Sequence, residues 1–338
     1  MRSTLFNLLN EIDYKVANEV QKCNIVICRE DRTGTAPTNV VWIKDNELWA
    51  QSTISNAVEE YYGYCISSTE IIDTPPFLNI WANRNKKDSY GGSAPMFSHG
   101  MKYYQINWDK WWSYAANILY IPVSNVLMNT LFQWFLPDVI INYNINSLDN
   151  SNEICETVFH ELAHTSHFKK VGATYWNDYI NYIVTYGSYG DGSGISSGLC
   201  AISEAWGFHM GWYFARKKYG TSADISLSLI EGFIPQKRPY SYGFVYYVSG
   251  TKITDIGGWI PSGILHDMMD TAVDYIRYDS STGTSYSDNV DSYTNYKFYN
   301  SLENDVRSPQ QFRDRLLLKN DNLDEADVKQ LFKAYYYE

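Results

Sequence analysis

Apolar residues recur three and four positions apart in several stretches of the chain, the spacing that winds one face of a helix. Leu5, Leu8, Leu9, Ile12, Val16 and Val20 follow it and predict an amphipathic helix over the first twenty residues. Cys23 to Cys28 and Val40 to Ile43 are short apolar, partly β-branched runs that read as strands. The second reaches Glu47 to Thr53 through Asp45-Asn46, which suggests a hairpin. Asp73 to Gly100 is rich in Pro, Gly, Asn and Ser and reads as loop, with His99 in it as an ordinary surface residue. Trp108 to Leu136 carries four tryptophans, and Pro137 to Asn144 follows as a further strand.

Two helices stand out after that. From Ser151 to Lys170, winding at about 100° per residue puts Ile154, Cys155, Val158, Phe159, Leu162 and Ala163 on one half of the cylinder. Glu153, Glu156, Thr157, His160, Glu161, His164 and His167 collect on the other. Asn150 and Glu153 have capping-box spacing, and Gly172 is a C-terminal stop. Ser196 to Ala215 is apolar almost all the way round, the pattern of a buried helix. Further on, Ser308-Pro309 starts a helix by cap and proline, and Asp324 to Tyr336 forms another. No internal repeat is apparent.

Composition narrows the class. The chain has 338 residues, 45% hydrophobic and 19% charged, as in a soluble globular protein with one two-lobed domain or two small ones. A net charge of -11 argues against a nucleic-acid partner. No apolar run reaches transmembrane length, since Asn117 to Leu136 is broken by Pro122, Asn125 and Gln133. Met1 to Asn10 lacks a signal-peptide pattern, as a mature exported protein would, and an exported setting, periplasmic, cell-surface or secreted, is the expectation. Five widely spaced cysteines give neither a disulfide framework nor a metal pair. The 30 tyrosines and 11 tryptophans fit core and interface positions, or a carbohydrate-binding surface.

The chemistry lies on the polar face of the first of these two helices. His160-Glu161-Leu162-Ala163-His164 is an H-E-x-x-H in which the histidines stand one turn apart, so both imidazoles can reach one ion. Glu161 lies beside that ion, where a carboxylate can take a proton from water as general base. The alternative is a solvated helix face. His167 is about 10 Å along the axis from His160, too far to share an ion with both histidines, and reads as structural or supporting. On the second helix Glu204 is the one carboxylate, costly to bury unless a metal or partner compensates it. Ser197, Cys200, Ala201, Gly207 and Gly211 share its face, small enough for another helix to approach, with Phe208 the one large exception.

These features resemble the zincin metallopeptidases. The metzincin continuation is absent, for Thr165 to Lys170 supplies neither its glycine nor its third histidine. The closer likeness is to the gluzincin branch, where a glutamate on a downstream helix completes the site, and Ser203-Glu204-Ala205 is similar to the N-E-A of thermolysin-like members. The resemblance implies Zn2+ held by His160, His164 and Glu204, with Glu161 as base. It departs at Phe208, where thermolysin-like enzymes have an aspartate that orients a histidine, so the supporting partner must come from elsewhere. The Gly-rich run from Tyr186 to Gly194 reads as a mobile loop beside a cleft. Asp255 to Ile264 is weakly similar to the D-x-G-G-x-H-x-N-S-G-I segment, without its histidine; His266, Tyr240 or Tyr242 could steady the oxyanion, and His266 is the catalytic candidate.

The expected fold is α+β and two-lobed like a zincin. An N-terminal lobe, residues 1-171, would carry the H-E-x-x-H helix and, before it, Pro137 to Asn144 as an edge strand that pairs with extended substrate or as a plain core strand. A mainly helical C-terminal lobe, residues 172-338, would supply the third ligand, with the cleft between. The expected function is zinc-dependent hydrolysis of peptides or proteins, glycoproteins among them. Two other classes remain open: an exported glycan- or glycoprotein-binding protein with a structural or vestigial metal, and a hydrolase of some other bond.

Overall fold

The computed structural model describes residues 25–28, 46–66, 72–84, 91–100, 137–143, 151–186, 189–220, 245–248, 251–254, 259–273 and 275–338. The helix expected over the first twenty residues, the strand Val40 to Ile43 and the segment Trp108 to Leu136 lie outside these. Within them the fold is mixed α and β, dominated by helices, with small sheets. No described helix is long and apolar enough to cross a membrane.

The main sheet has four strands, β1 (Ile25–Cys28), β2 (Ile80–Arg84), β3 (Gly91–Ser93) and β4 (Val139–Tyr143), in the order β1-β2-β4-β3. β2 runs parallel to β4 with Ile80 opposite Val139, while β1 and β3 pair antiparallel at the two ends. β4, the strand expected from Pro137 to Asn144, is therefore interior, and its Val139, Ile140, Ile141 and Tyr143 are buried. Among the described strands the sheet ends on β1 and β3.

Two sequence expectations fail here for physical reasons. Glu47 to Thr53 is not a hairpin strand but part of helix α1 (Asn46–Cys65), because a helical period of Ala50, Ile54, Ala57, Val58, Tyr61 and Cys65 runs on into the core. Asp73 to Gly100 is not all loop. It holds β2, β3 and the short helix α2 (Phe97–Gly100). The Gly-Gly-Ser of β3 has no strand propensity of its own and is held by pairing with β4, Gly92 opposite Ile141. His99 is no isolated surface residue either. Its Nδ1 lies 3.1 Å from Asp138 Oδ1, and Asp138 is buried, accepting from the backbone of Asn79 at 3.0 Å and of Ser98 at 2.9 Å.

Helix α3 (Ser151–Tyr186) is interrupted at Gly172, whose φ of 82° and ψ of 174° break the helical ladder. The stop expected there is real, and helix resumes directly after it. Helix α4 (Ser197–Tyr219) packs against α3 more extensively than any other pair of elements among the described residues. It is buried nearly all round, as its composition demands. Beyond it lie two hairpins, β5 (Val245–Val248) with β6 (Thr251–Thr254) and β7 (Tyr275–Asp279) with β8 (Thr284–Ser287), and helices α5 (Ile264–Asp267), α6 (Asn295–Ser301), α7 (Pro309–Lys319) and α8 (Glu325–Ala334). α7 starts as its sequence requires: Ser308 accepts from the Gln311 amide at 3.2 Å and Pro309 occupies the first turn.

Candidate metal centre

The polar face of α3 turns toward α4 on one side and β3 on the other. His160, Glu161 and His164 each offer a ligand atom within 4.8 Å of the other two, a group that could hold a metal ion. The Nε2 atoms of His160 and His164 are 3.1 Å apart. Across from them Glu204 Oε2 lies 3.3 Å from His160 Nε2 and 3.6 Å from His164 Nε2. This oxygen is buried and has no hydrogen-bond partner among the described residues. Known protein families, curated proteins and solved structures contain no match to the chain. The geometry of the site therefore carries the functional argument.

Glycines make the approach of α4 possible. A Cβ at Gly207 would stand 2.8 Å from His160 Cε1 and 2.9 Å from His164 Cε1, and one at Gly211 would stand 3.0 Å from the Glu156 carbonyl. The small face read from the sequence thus meets the histidines, while Phe208 lies edge-on to the His160 ring at 4.7 Å. On the opposite side Glu161 presses against the sheet edge, where a Cβ at Gly92 would fall 2.4 Å from its Cγ. The two carboxylates therefore flank the histidines from opposite walls.

Their environments also pull them apart. Burial pushes the Glu161 carboxyl up to about 8, with the charge of His160 opposing and that of Glu204 reinforcing the shift. Burial acts to raise Glu204 too, but the facing His164 and His160 outweigh it and hold the carboxyl well below the usual range. Glu204 is held toward its ionised form and Glu161 toward its protonated form.

The second oxygen of Glu204 accepts a hydrogen bond from the Tyr179 hydroxyl. Tyr179 comes from the stretch of α3 beyond Gly172, and burial, with the Glu204 charge, raises its hydroxyl well above the ordinary range. Tyr179 thus supports Glu204 and not a histidine, and His164 Nδ1 is buried with no hydrogen-bond partner among the described residues. Sequence reasoning missed Tyr179: helical spacing of Tyr175, Trp176, Tyr179, Ile180 and Ile183 marks a buried face but not which hydroxyl meets Glu204.

A cleft opens over the group, walled by Gly92 to Pro95, by Tyr179, Ile180 and Ile183, and by Tyr189. Tyr189 sits in the Gly-rich run expected to be a mobile loop. It does border the cleft, and two hydrogen bonds hold its described part: the Tyr182 hydroxyl donates to the Tyr189 carbonyl at 3.2 Å, and Trp259 Nε1 donates to the Gly190 carbonyl at 3.2 Å. His266 is not brought to the cleft. It packs on Trp212, ring centroids 4.5 Å apart, with Nε2 3.4 Å from Asp270, and Trp212 is eight residues, about 12 Å of helix rise, along α4 from Glu204. Tyr240 and Tyr242 lie outside the described residues. His167 is fully buried between Tyr175 and Trp176, at ring distances of 5.2 and 5.7 Å, and burial lowers it to about 3.

Proposed function

We propose that the chain is a zinc-dependent metallopeptidase of gluzincin-like construction. The observation that carries this reading is the triangle of His160 Nε2, His164 Nε2 and Glu204 Oε2, with sides of 3.1, 3.3 and 3.6 Å. Ligand atoms ~2.0–2.1 Å from a tetrahedral centre stand roughly 3.3–3.4 Å from one another. Two imidazoles and one carboxylate form the donor set of open, catalytic zinc sites, and the buried Glu204 oxygen without a hydrogen-bond partner among the described residues fits it. Zinc bound there supplies Lewis acidity toward a carbonyl and lowers the pKa of water at the open position.

The protein's own groups do the rest. Glu161, against the sheet edge and beside the histidines, takes the proton of the attacking water and passes it to the leaving amine. β3, an end strand among the described residues, offers backbone groups to an extended peptide laid across the cleft, with Ile180, Ile183 and Tyr189 facing its side chains. In this reading residues 1-171 and 172-338 form the two lobes, meeting at the Gly172 break. His266 has no part in the reaction.

The test is hydrolysis of a mixed peptide library by wild-type protein, with and without chelator. Cleavage abolished by chelation and restored by zinc is the expected result. Absence of cleavage by zinc-loaded protein would replace the peptidase with a hydrolase of another bond or a glycan-binding protein.

A further inference from the structure

We infer that Tyr179 is a positioning residue that restricts Glu204 to a single metal-facing oxygen, an inference that rests on the metal reading above. A carboxylate can bind an ion through one oxygen or both. In Glu204 the roles are divided: Oε2 faces the Nε2 atoms of His160 and His164 at 3.3 and 3.6 Å, and Oε1 accepts from the Tyr179 hydroxyl. Among the described residues Tyr179 is the one side chain that donates to this oxygen. A lone pair engaged by a buried hydroxyl is withdrawn from chelation, so the fourth position is left for water and substrate.

Tyr179 has little freedom to do otherwise. Its ring packs on Trp176 at 4.9 Å and lies 6.0 Å from the His164 ring. Trp176 is itself anchored, its Nε1 donating to the Ala94 carbonyl at 3.0 Å just past the end of β3. A chain of contacts thus joins the sheet edge, the aromatic pair and the carboxylate. The break at Gly172 is what delivers it: the helix restarts, and two turns later Tyr179 faces Glu204 instead of continuing the line of His160, His164 and His167.

The experiment compares wild type, Tyr179→Phe and Tyr182→Phe by zinc competition titration and by visible absorption of the Co2+-substituted proteins. Tyr182 is the control, since its hydroxyl braces the Gly-rich turn through the Tyr189 carbonyl and the Gly192 amide and does not touch Glu204. Tyr179→Phe should bind zinc ~10–100-fold more weakly, the usual cost of losing a partner behind a ligand. Its cobalt spectrum should shift from the intense bands of four-coordinate metal toward the weaker ones of five-coordinate metal as Oε1 swings in. Tyr182→Phe should match wild type in both. An unchanged affinity and spectrum in Tyr179→Phe, or an equal loss in Tyr182→Phe, overturns the inference while leaving the metal site intact. Five-coordinate cobalt in the wild type overturns it without any variant. A wild type that binds neither ion removes the metal reading, and this inference with it.

Discussion

Glu161 and Glu204 are both buried carboxylates beside the same histidines, yet the structure gives them different neighbours, and substitutions should separate them. Glu161→Gln keeps the size and the helix and removes only proton-accepting power. Zinc content and thermal stability should stay near wild type while peptide hydrolysis falls by ~10²–10⁴. Equal activity in the two forms would show that the base lies elsewhere. Glu204→Ala should weaken zinc binding by more than the ~10–100-fold typical of residues behind the ligands, while His167→Ala should leave it nearly intact and cost core stability instead. The reverse ranking in a zinc titration would point to a three-histidine site. At this scale the sequence was informative where chemistry is local. Histidines four apart on one helix announce themselves, and a lone carboxylate on an apolar helix stands out. Tyr179 did not, because its partner is 25 residues away and only the packing of two helices brings them together. His266 was singled out by its place after a weak motif, and its neighbours prove to be Trp212 and Asp270.

Helix α4 reaches the histidines only because Gly207 has no side chain. In Gly207→Ala the new carbon would meet His160 Nε2 at 2.9 Å and His164 Cε1 at 2.9 Å. Overpacking of this kind costs ~1–3 kcal/mol, so denaturant unfolding should show that loss, with weaker zinc binding from displaced imidazoles. Gly63, on an exposed part of α1, is the contrast, for nothing lies within 4 Å of a Cβ built there. Gly63→Ala should stabilise by ~0.5–1 kcal/mol, the helix-propensity difference, and leave metal affinity alone. If both substitutions behaved alike, the close approach of α3 and α4 would not be what shapes the site. The two long helices were legible as elements because period and burial agree along them. β3 was not, since Gly91-Gly92-Ser93 carries no strand pattern and owes its conformation to β4. Glu47 to Thr53 misled because a short window fits a strand as well as a helix, and the deciding residues come later in α1.

At the scale of the whole molecule, two buried histidines among the described residues pull stability down in acid. His167 and His209 are fully buried and lowered from 6.5 to about 3, chiefly by desolvation. The unfolded chain takes up these protons near pH 6.5 and the folded one near pH 3, so stability is lost as pH falls through that window. With both groups titrating, the slope approaches ~2.7 kcal/mol per pH unit. Glu161 acts the other way in the metal-free protein, since a carboxyl raised to about 8 binds its proton more tightly when folded and draws stability down as pH rises toward that value. Metal-free protein should therefore be most stable near pH ~6.5, and His209→Gln should flatten the acid limb of a stability-versus-pH curve. An unaltered limb would place the acid sensitivity in other groups. The mixed α and β class agrees with the sequence reading, whereas the order of the sheet depends on contacts far apart in the chain. The central claim, that His160, His164 and Glu204 hold one zinc ion, is tested most directly by elemental analysis of the gently purified protein beside His164→Ala. One zinc per wild-type chain and none in the variant is the predicted result; wild-type protein with no stoichiometric metal, and none restored on adding zinc, would contradict it.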